Sequence, residues 1–131
     1  MTGLITIKSE HSAKQTIAKT EALLKSKGYH IFTRISHSEN AAKNDIDLRP
    51  TELIIFGNPK VGTGLMQDQQ SIGIDLPSKV LAWEDEHGQT WVTHNKTTHL
   101  AERHKLSDAV KENINALKAT MKAIKETATK S

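Results

Sequence analysis

The chain contains no cysteine, and this absence removes several kinds of chemistry at once. Disulfides, thiolate metal ligands, iron–sulfur clusters and cysteine nucleophiles are all excluded. No segment approaches the roughly 20 consecutive apolar residues that a membrane-spanning helix needs. The N-terminal residues also lack the positive segment followed by an apolar stretch that marks a leader sequence. We therefore predict a cytoplasmic protein without a membrane partner.

Aromatic residues are scarce, so the core must be mainly aliphatic: the 131 residues include two Trp, one Tyr and two Phe. A chain of this length fits a single domain and buries roughly two-thirds of its unfolded surface. Its net charge of +3 arises near the C-terminus, where residues 103–131 hold seven Lys/Arg against three Asp/Glu. We interpret these lysines as a solvated helix face. Nucleic acid is disfavoured as a partner because no aromatic or arginine stripe accompanies the charge.

Apolar periodicity and turn residues predict the element order β-α-β-β-α-β-β-α. Ser12 and Gln15 have the spacing of a capping box at the start of the first helix. Residues 51–56 predict an interior strand because four consecutive apolar residues suit burial on both faces. Further strands are predicted at 4–8, 30–35, 79–84 and 89–94. The order indicates an α+β fold in one compact domain over residues 1–131, with a mostly antiparallel sheet and helices packed on one face.

Two patterns in the second half of the chain predict packing. A turn with Gly88 in the left-handed region would place Trp83 opposite Trp91 on neighbouring strands. The last helix, at about 107–127, carries one narrow apolar stripe. The stripe would pack on the protein's own sheet or form a dimer seam, and its residues are Val110, Ile114, Leu117, Met121 and Ile124.

The glycine-rich turn at 57–64 is the first candidate site. It follows a buried strand, and the N–H groups of a helix that starts there could hold an anion. Lys60 and Thr63 would add a charge and a hydroxyl. The alternative is structural, with Asn58 as the cap and Pro59 in the first helical position.

The histidines form a second candidate set, because imidazole titrates near neutral pH and binds metals. No two of the seven are four residues apart, the spacing that would place two rings on one helix face. Taken singly, each is expected to have a surface or capping role, and no metal site is predicted. The seven are His11, His30, His37, His87, His94, His99 and His104.

Several motifs together resemble a known family. Ser12 and Thr16 lie in the first helix, and the sequence Ser-His follows the second strand at 36–37. The most characteristic runs lie at 48–53, 56–59, 62–63, 65–66, 76–77, 83–85, 88, 91 and 100–104. With these motifs, residues 3 to about 106 resemble the bacterial and archaeal domain-of-unknown-function family numbered 302. Two positions depart from the pattern, since Ser36 replaces the usual aspartate and Gly64 replaces a frequent proline.

The resemblance implies a compact α+β fold, often dimeric, with no established catalytic activity, and it directs attention to His37, Asn58 and His104. We hypothesise that His37 and Asn58 line one cleft, reached by Arg103 or His104. The leading hypothesis is a small binding module, homodimeric, that holds a polar or anionic ligand at the turn 57–64. The predicted ligand-binding residues are His37, Asn58, Lys60, Thr63, Arg103 and His104. A protein-interaction role and an enzyme using His37 or His104 as general acid–base stay open; no cofactor is assigned.

Overall fold

The computed structural model describes residues 3–131. Ten helices and strands follow one another along this part of the chain, with two short 3-10 turns at Gln70–Ile74 and Asp108–Val110. The elements are β1 (Leu4–Ser9), α1 (Ala13–Ser26), β2 (His30–Ser36), α2 (His37–Ala42), β3 (Thr51–Gly57), α3 (Pro59–Asp68), β4 (Ser78–Glu84), β5 (Thr90–Asn95), α4 (Thr97–Arg103) and α5 (Lys111–Thr127).

The five strands form one sheet in the order β1-β5-β4-β3-β2. Each pair of neighbours is antiparallel. The predicted α+β class is confirmed, and β3 is an interior strand as expected. Trp83 pairs with Trp91 across β4 and β5, and Gly88 in the connecting turn has a φ of +79°, so the predicted hairpin is also confirmed.

Alternation along β3 shows which face of the sheet the helices cover. Glu52, Ile54 and Phe56 are buried, while the residues between them are half-buried. A core between the sheet, α1 and α5 contains Ala13, Ile17, Leu24, Ile54, Phe56, Val80, Ala82, Val92, Ile124 and Ala128. A smaller core joins α3, α4 and the two 3-10 turns through Leu65, Leu100, Ile72 and Val110. The helices therefore pack on one face, as predicted.

The apolar stripe of α5 packs inside its own chain. Its C-terminal half, with Met121 and Ile124, contacts the sheet core. Its N-terminal half, with Ile114 and Leu117, contacts the smaller core. Both halves have intramolecular partners, so the structure favours packing within the chain over a dimer seam along this stripe.

Two glycines in α3 should respond oppositely to alanine. A Cβ at Gly64 would lie 2.4 Å from Nδ2 of Asn113, which donates to the Val61 carbonyl at 3.1 Å. A Cβ at Gly62 meets only Leu76, at 3.8 Å. We expect Gly64→Ala to lower the free energy of unfolding by about 1–2 kcal/mol. Gly62→Ala should raise it by about 0.5–1 kcal/mol, the helix preference of alanine over glycine. Urea unfolding followed by circular dichroism measures both; stabilisation by Gly64→Ala would contradict the close approach of α3 and α5.

Candidate functional site

A cavity of about 260 Å³ lies where the end of β3 meets α3 and α5. Its walls are mainly apolar, and they include Phe56, Val61, Met66, Leu76, Leu117 and Met121. Polar groups are few and include Asn58, Thr63, Ser78 and Thr120. We call this space the α3 cavity. Its lining suits an apolar molecule with a small polar part.

One wall of the α3 cavity is aromatic. Tyr29 packs edge-on against Phe56, with ring centroids 6.2 Å apart and an interplanar angle of 86°. The Tyr29 hydroxyl is hydrogen-bonded to Thr120, whose own hydroxyl donates to the Ala116 carbonyl at 3.0 Å. Because these hydroxyls satisfy each other and the backbone, the wall is chemically apolar despite its polar residue types.

The start of α3 is fully hydrogen-bonded. Asn58 caps the helix, and its Oδ1 accepts from the backbone N–H of Lys60 at 3.1 Å. Pro59 has no N–H to offer. The N–H groups of Val61 and Gly62 both donate to the Asn58 carbonyl at 3.0 Å. An anion would have to displace these hydrogen bonds. The structure therefore does not support an anion site formed by the backbone N–H groups of this turn.

Three of the predicted ligand-binding residues lie at or beside this cavity. Asn58 and Thr63 line it. Lys60 is exposed on the first turn of α3 and is not part of the lining. Any charged or polar contacts from Asn58, Lys60 and Thr63 to a ligand would therefore be made at the rim of the cavity rather than in its interior.

His37 does not meet Asn58. β2 and β3 are antiparallel, with His30 opposite Gly57 and Ser36 opposite Glu52. His37 thus follows one end of the strand pair and Asn58 the other, about 20 Å away at roughly 3.4 Å per residue. The hypothesis of a shared cleft is wrong because it required parallel neighbours. Within residues 3–131, the exposed His37 side chain has no hydrogen-bond or ion-pair partner.

His104 lies in a separate polar cluster with Ser71, Asp75 and Arg103. Its ring is buried, with Nδ1 2.8 Å from the Ser71 hydroxyl and Nε2 2.5 Å from Oδ2 of Asp75. Nη1 of Arg103 donates to both carboxylate oxygens of Asp75 at 3.1 Å. Neither Arg103 nor His104 lines the α3 cavity. The predicted set is therefore divided among three places in the fold.

The polar cluster has the connectivity of an activated serine: a hydroxyl, an imidazole and a carboxylate in line. Because a carboxylate only accepts, Nε2–H donates to Asp75 and Nδ1 is left to accept from Ser71. Sequence reasoning missed Ser71 and Asp75. They lie 33 and 29 residues from His104, so no spacing signal could have found them.

The face of the sheet opposite the helices belongs to neither core and mixes apolar side chains with polar ones such as Thr6, Lys8 and Thr93. Its half-buried side chains include Leu53, Ile55, Leu81, Trp83 and Trp91, and we call it the open face. The tryptophan rings stack with centroids 6.4 Å apart and an interplanar angle of 29°.

Both tryptophan N–H groups are satisfied within the chain. That of Trp83 donates to Thr93 and that of Trp91 to Asp85, each at 2.9 Å. The Trp91 bond holds the pKa of Asp85 below its ordinary value, with the backbone N–H groups of His87 and Gln89 adding to the effect. This contribution to stability is present above the ordinary pKa of an aspartate and is lost as pH falls through the lowered value. The two tryptophans therefore present ring surface rather than free N–H groups, and the Lys8 ammonium lies 5.7 Å from the centroid of the Trp91 ring.

The described part of the chain offers neither a metal-binding cluster nor a membrane-spanning helix. Residues 3–131 contain no group of three or more His, Asp or Glu side chains placed to hold one metal ion. Among the helices of the same residues, none has the length and apolar character required to cross a bilayer.

Comparison with known proteins places the chain in a family. The model described as "Domain of unknown function DUF302" matches residues 5–124. The chain belongs to the DUF302 family. A crystal structure of an uncharacterized conserved DUF302 protein from Bacillus stearothermophilus superposes with a TM-score of 0.80 at 21% identity, covering 95% of this chain and 96% of that one. At this identity the likeness concerns the fold alone.

Two curated relatives are longer than this chain. "Fluoride-specific ion channel FluC 1" of Brucella suis biovar 1 (strain 1330) is 51% identical over 104 residues, which are 79% of this chain and 41% of that protein. "Fluoride-specific ion channel FluC 1" of Brucella abortus biovar 1 (strain 9-941) has the same identity over 104 residues, 38% of its length. The chain thus spans about two-fifths of the length of these relatives.

Proposed function

We propose that this DUF302 protein is a binding module for a small amphipathic molecule. The apolar part of the ligand occupies the α3 cavity, and its polar or anionic end lies at the rim beside Asn58, Lys60 and Thr63. The observation that carries the proposal is a cavity of about 260 Å³ with mostly apolar walls at the glycine-rich turn. This volume is just below the range of about 300–1,000 Å³ that is usual for ligand pockets, so the ligand is small.

The rim supplies the polar recognition that the walls lack. The Thr63 hydroxyl and the Asn58 amide NH₂ are hydrogen-bond donors. Within residues 3–131, Lys60 forms no ion pair, and its ammonium is free to approach a carboxylate. His37, Arg103 and His104 have no part in this proposal, because they lie elsewhere in the fold.

Octanoate and acetate separate the apolar contribution from the anionic one. They share a carboxylate, and only octanoate has a chain that fills the cavity. We expect calorimetric titration to detect octanoate binding and no acetate binding. Gly62→Leu should weaken octanoate binding by about tenfold or more, equivalent to about 1.4 kcal/mol, because the new side chain occupies the cavity.

Gly62→Ala is the matched control, since it alters the same position but leaves most of the cavity empty. It should bind octanoate as the unaltered protein does. Acetate binding as tight as octanoate binding would contradict the amphipathic proposal and restore the purely anionic one. Equal octanoate affinity in all three proteins would place the site elsewhere.

A homodimer through the open face is a second candidate property. Five strands about 4.8 Å apart and six residues at roughly 3.4 Å each define a face of about 500 Å². Two such faces bury about 1,000 Å² or more, close to the lower limit of specific interfaces. Sheets pack face to face in this way about 10 Å apart. A second copy is the occupant we propose, because the face has sufficient area and carries apolar side chains that neither core covers.

An enzyme using His104 is the weaker alternative. The Ser71–His104–Asp75 line favours it, but neither Ser71 nor His104 lines the α3 cavity. The channel activity in the names of the Brucella relatives does not enter the proposal, since the chain matches only part of those proteins. Cytoplasmic location stays a prediction.

A further inference from the structure

A second cavity, of about 600 Å³, lies between α5 and the strands β1 and β5. Five lysines border it, against one acidic residue, Glu126. The lysines are Lys96, Lys118, Lys122, Lys125 and Lys130. We call this space the basic groove. The lysine face of α5, interpreted from sequence as simply solvated, is thus one wall of a concave surface.

None of these five lysines makes an ion pair within the described residues. Glu126 likewise has no ion-pair partner there. Like charges gathered in a concave surface raise its positive potential, because low-dielectric walls focus the field. The groove therefore favours a ligand that brings several negative charges to one place.

The floor of the groove contains a buried imidazole. His94 is 9% exposed, and its Nδ1–H donates to the Asn95 carbonyl at 2.9 Å. Its Nε2 has no hydrogen-bond partner among the residues that the structure describes. No fully buried side-chain nitrogen or oxygen of these residues lacks a partner, so Nε2 reaches the groove. Because the Asn95 carbonyl accepts from Nδ1–H, Nε2 is the ring nitrogen available to a ligand, as an acceptor in the neutral ring and as a donor in the imidazolium.

We propose that the basic groove binds a small molecule carrying several phosphate groups, with lysine ammonium groups around the anion and His94 below it. The volume is within the range of small-molecule sites. No Phe, Tyr or Trp lines the groove, so it lacks the stacking surfaces that single-stranded nucleic acid uses. Met121 borders both this groove and the α3 cavity, but the proposal does not depend on the function proposed for that cavity.

Inorganic tripolyphosphate is the probe for the 131-residue protein, with calorimetry as the measurement. We expect binding that weakens as salt is raised, since the attraction is electrostatic. Lys122→Gln with Lys125→Gln should reduce the affinity by about tenfold. The matched control is Lys19→Gln with Lys27→Gln, two exposed lysines outside the groove that change the net charge equally. The control should stay within about twofold of the unaltered protein.

His94→Leu tests the floor of the groove. The substitution should lower the affinity for tripolyphosphate by about fivefold. The melting temperature of the variant is measured as well, to check that the protein is folded. If this buried position does not tolerate leucine, the lysine pair still tests the proposal. An equal loss in the control pair would show attraction to net charge alone and would overturn the site. Tighter binding of a dodecamer of deoxythymidine than of tripolyphosphate would overturn the small-molecule assignment in favour of nucleic acid.

Discussion

Phe56→Ala is expected to lower the free energy of unfolding by about 3–5 kcal/mol. Phe56 is 1% exposed and lies at the centre of the core between the sheet, α1 and α5. Removing its ring deletes the edge-on contact with Tyr29 and enlarges the α3 cavity. Chemical unfolding followed by tryptophan fluorescence measures the change.

Phe32→Ala is the control for this prediction. Phe32 also borders the α3 cavity but is 52% exposed. Truncating this side chain therefore removes little buried apolar area. The expected cost is about 1 kcal/mol or less. Equal decreases in the free energy of unfolding for Phe56→Ala and Phe32→Ala would show that the wall of the α3 cavity is not part of the core as described.

Opposed lysines on the open face are expected to separate the proposed dimer. Leu53 and Leu81 face each other across β3 and β4, and neither belongs to a core cluster. Leu53→Lys with Leu81→Lys places four charges in the dimer interface. The dissociation constant should rise by about 100-fold or more, equivalent to about 2.8 kcal/mol, because like charges would be desolvated together. Sedimentation velocity over a range of protein concentrations measures it.

A pair of lysines on the helices provides the comparison. Ala22→Lys with Ala119→Lys adds the same charge at exposed positions of α1 and α5. This control should remain dimeric. A monomeric unaltered protein, or equal dissociation of both double variants, would contradict an interface on the open face.

Local signals in the sequence predicted much of the fold. The Ser12 cap accepts the Gln15 N–H at 3.1 Å, as the capping-box spacing indicated. The interior position of β3 followed from its apolar run, and the Trp83–Trp91 pair followed from the hairpin turn. Each of these features depends on residues close together in the chain, where short-range sterics and hydrogen bonding decide the outcome.

The site was less predictable because it depends on contacts between distant segments. Whether His37 could reach Asn58 depended on strand direction, which no local pattern fixes. Ser71 lies in the 3-10 turn Gln70–Ile74 and Asp75 directly follows it, so their side chains meet His104 only after this turn has packed against the end of α4. Asn58 and Pro59 did predict a capped helix, but a well-capped helix start uses the N–H groups that an anion would need.

The central claim is that a ligand enters the α3 cavity, and methionine methyl signals report on it directly. Met66 and Met121 line the cavity from α3 and α5. With ¹³C-methyl methionine, octanoate should shift both signals together and saturably in the unaltered protein and in Gly62→Ala, and shift neither in Gly62→Leu. Saturable octanoate binding that leaves both methyl signals unmoved in the unaltered protein would contradict the account.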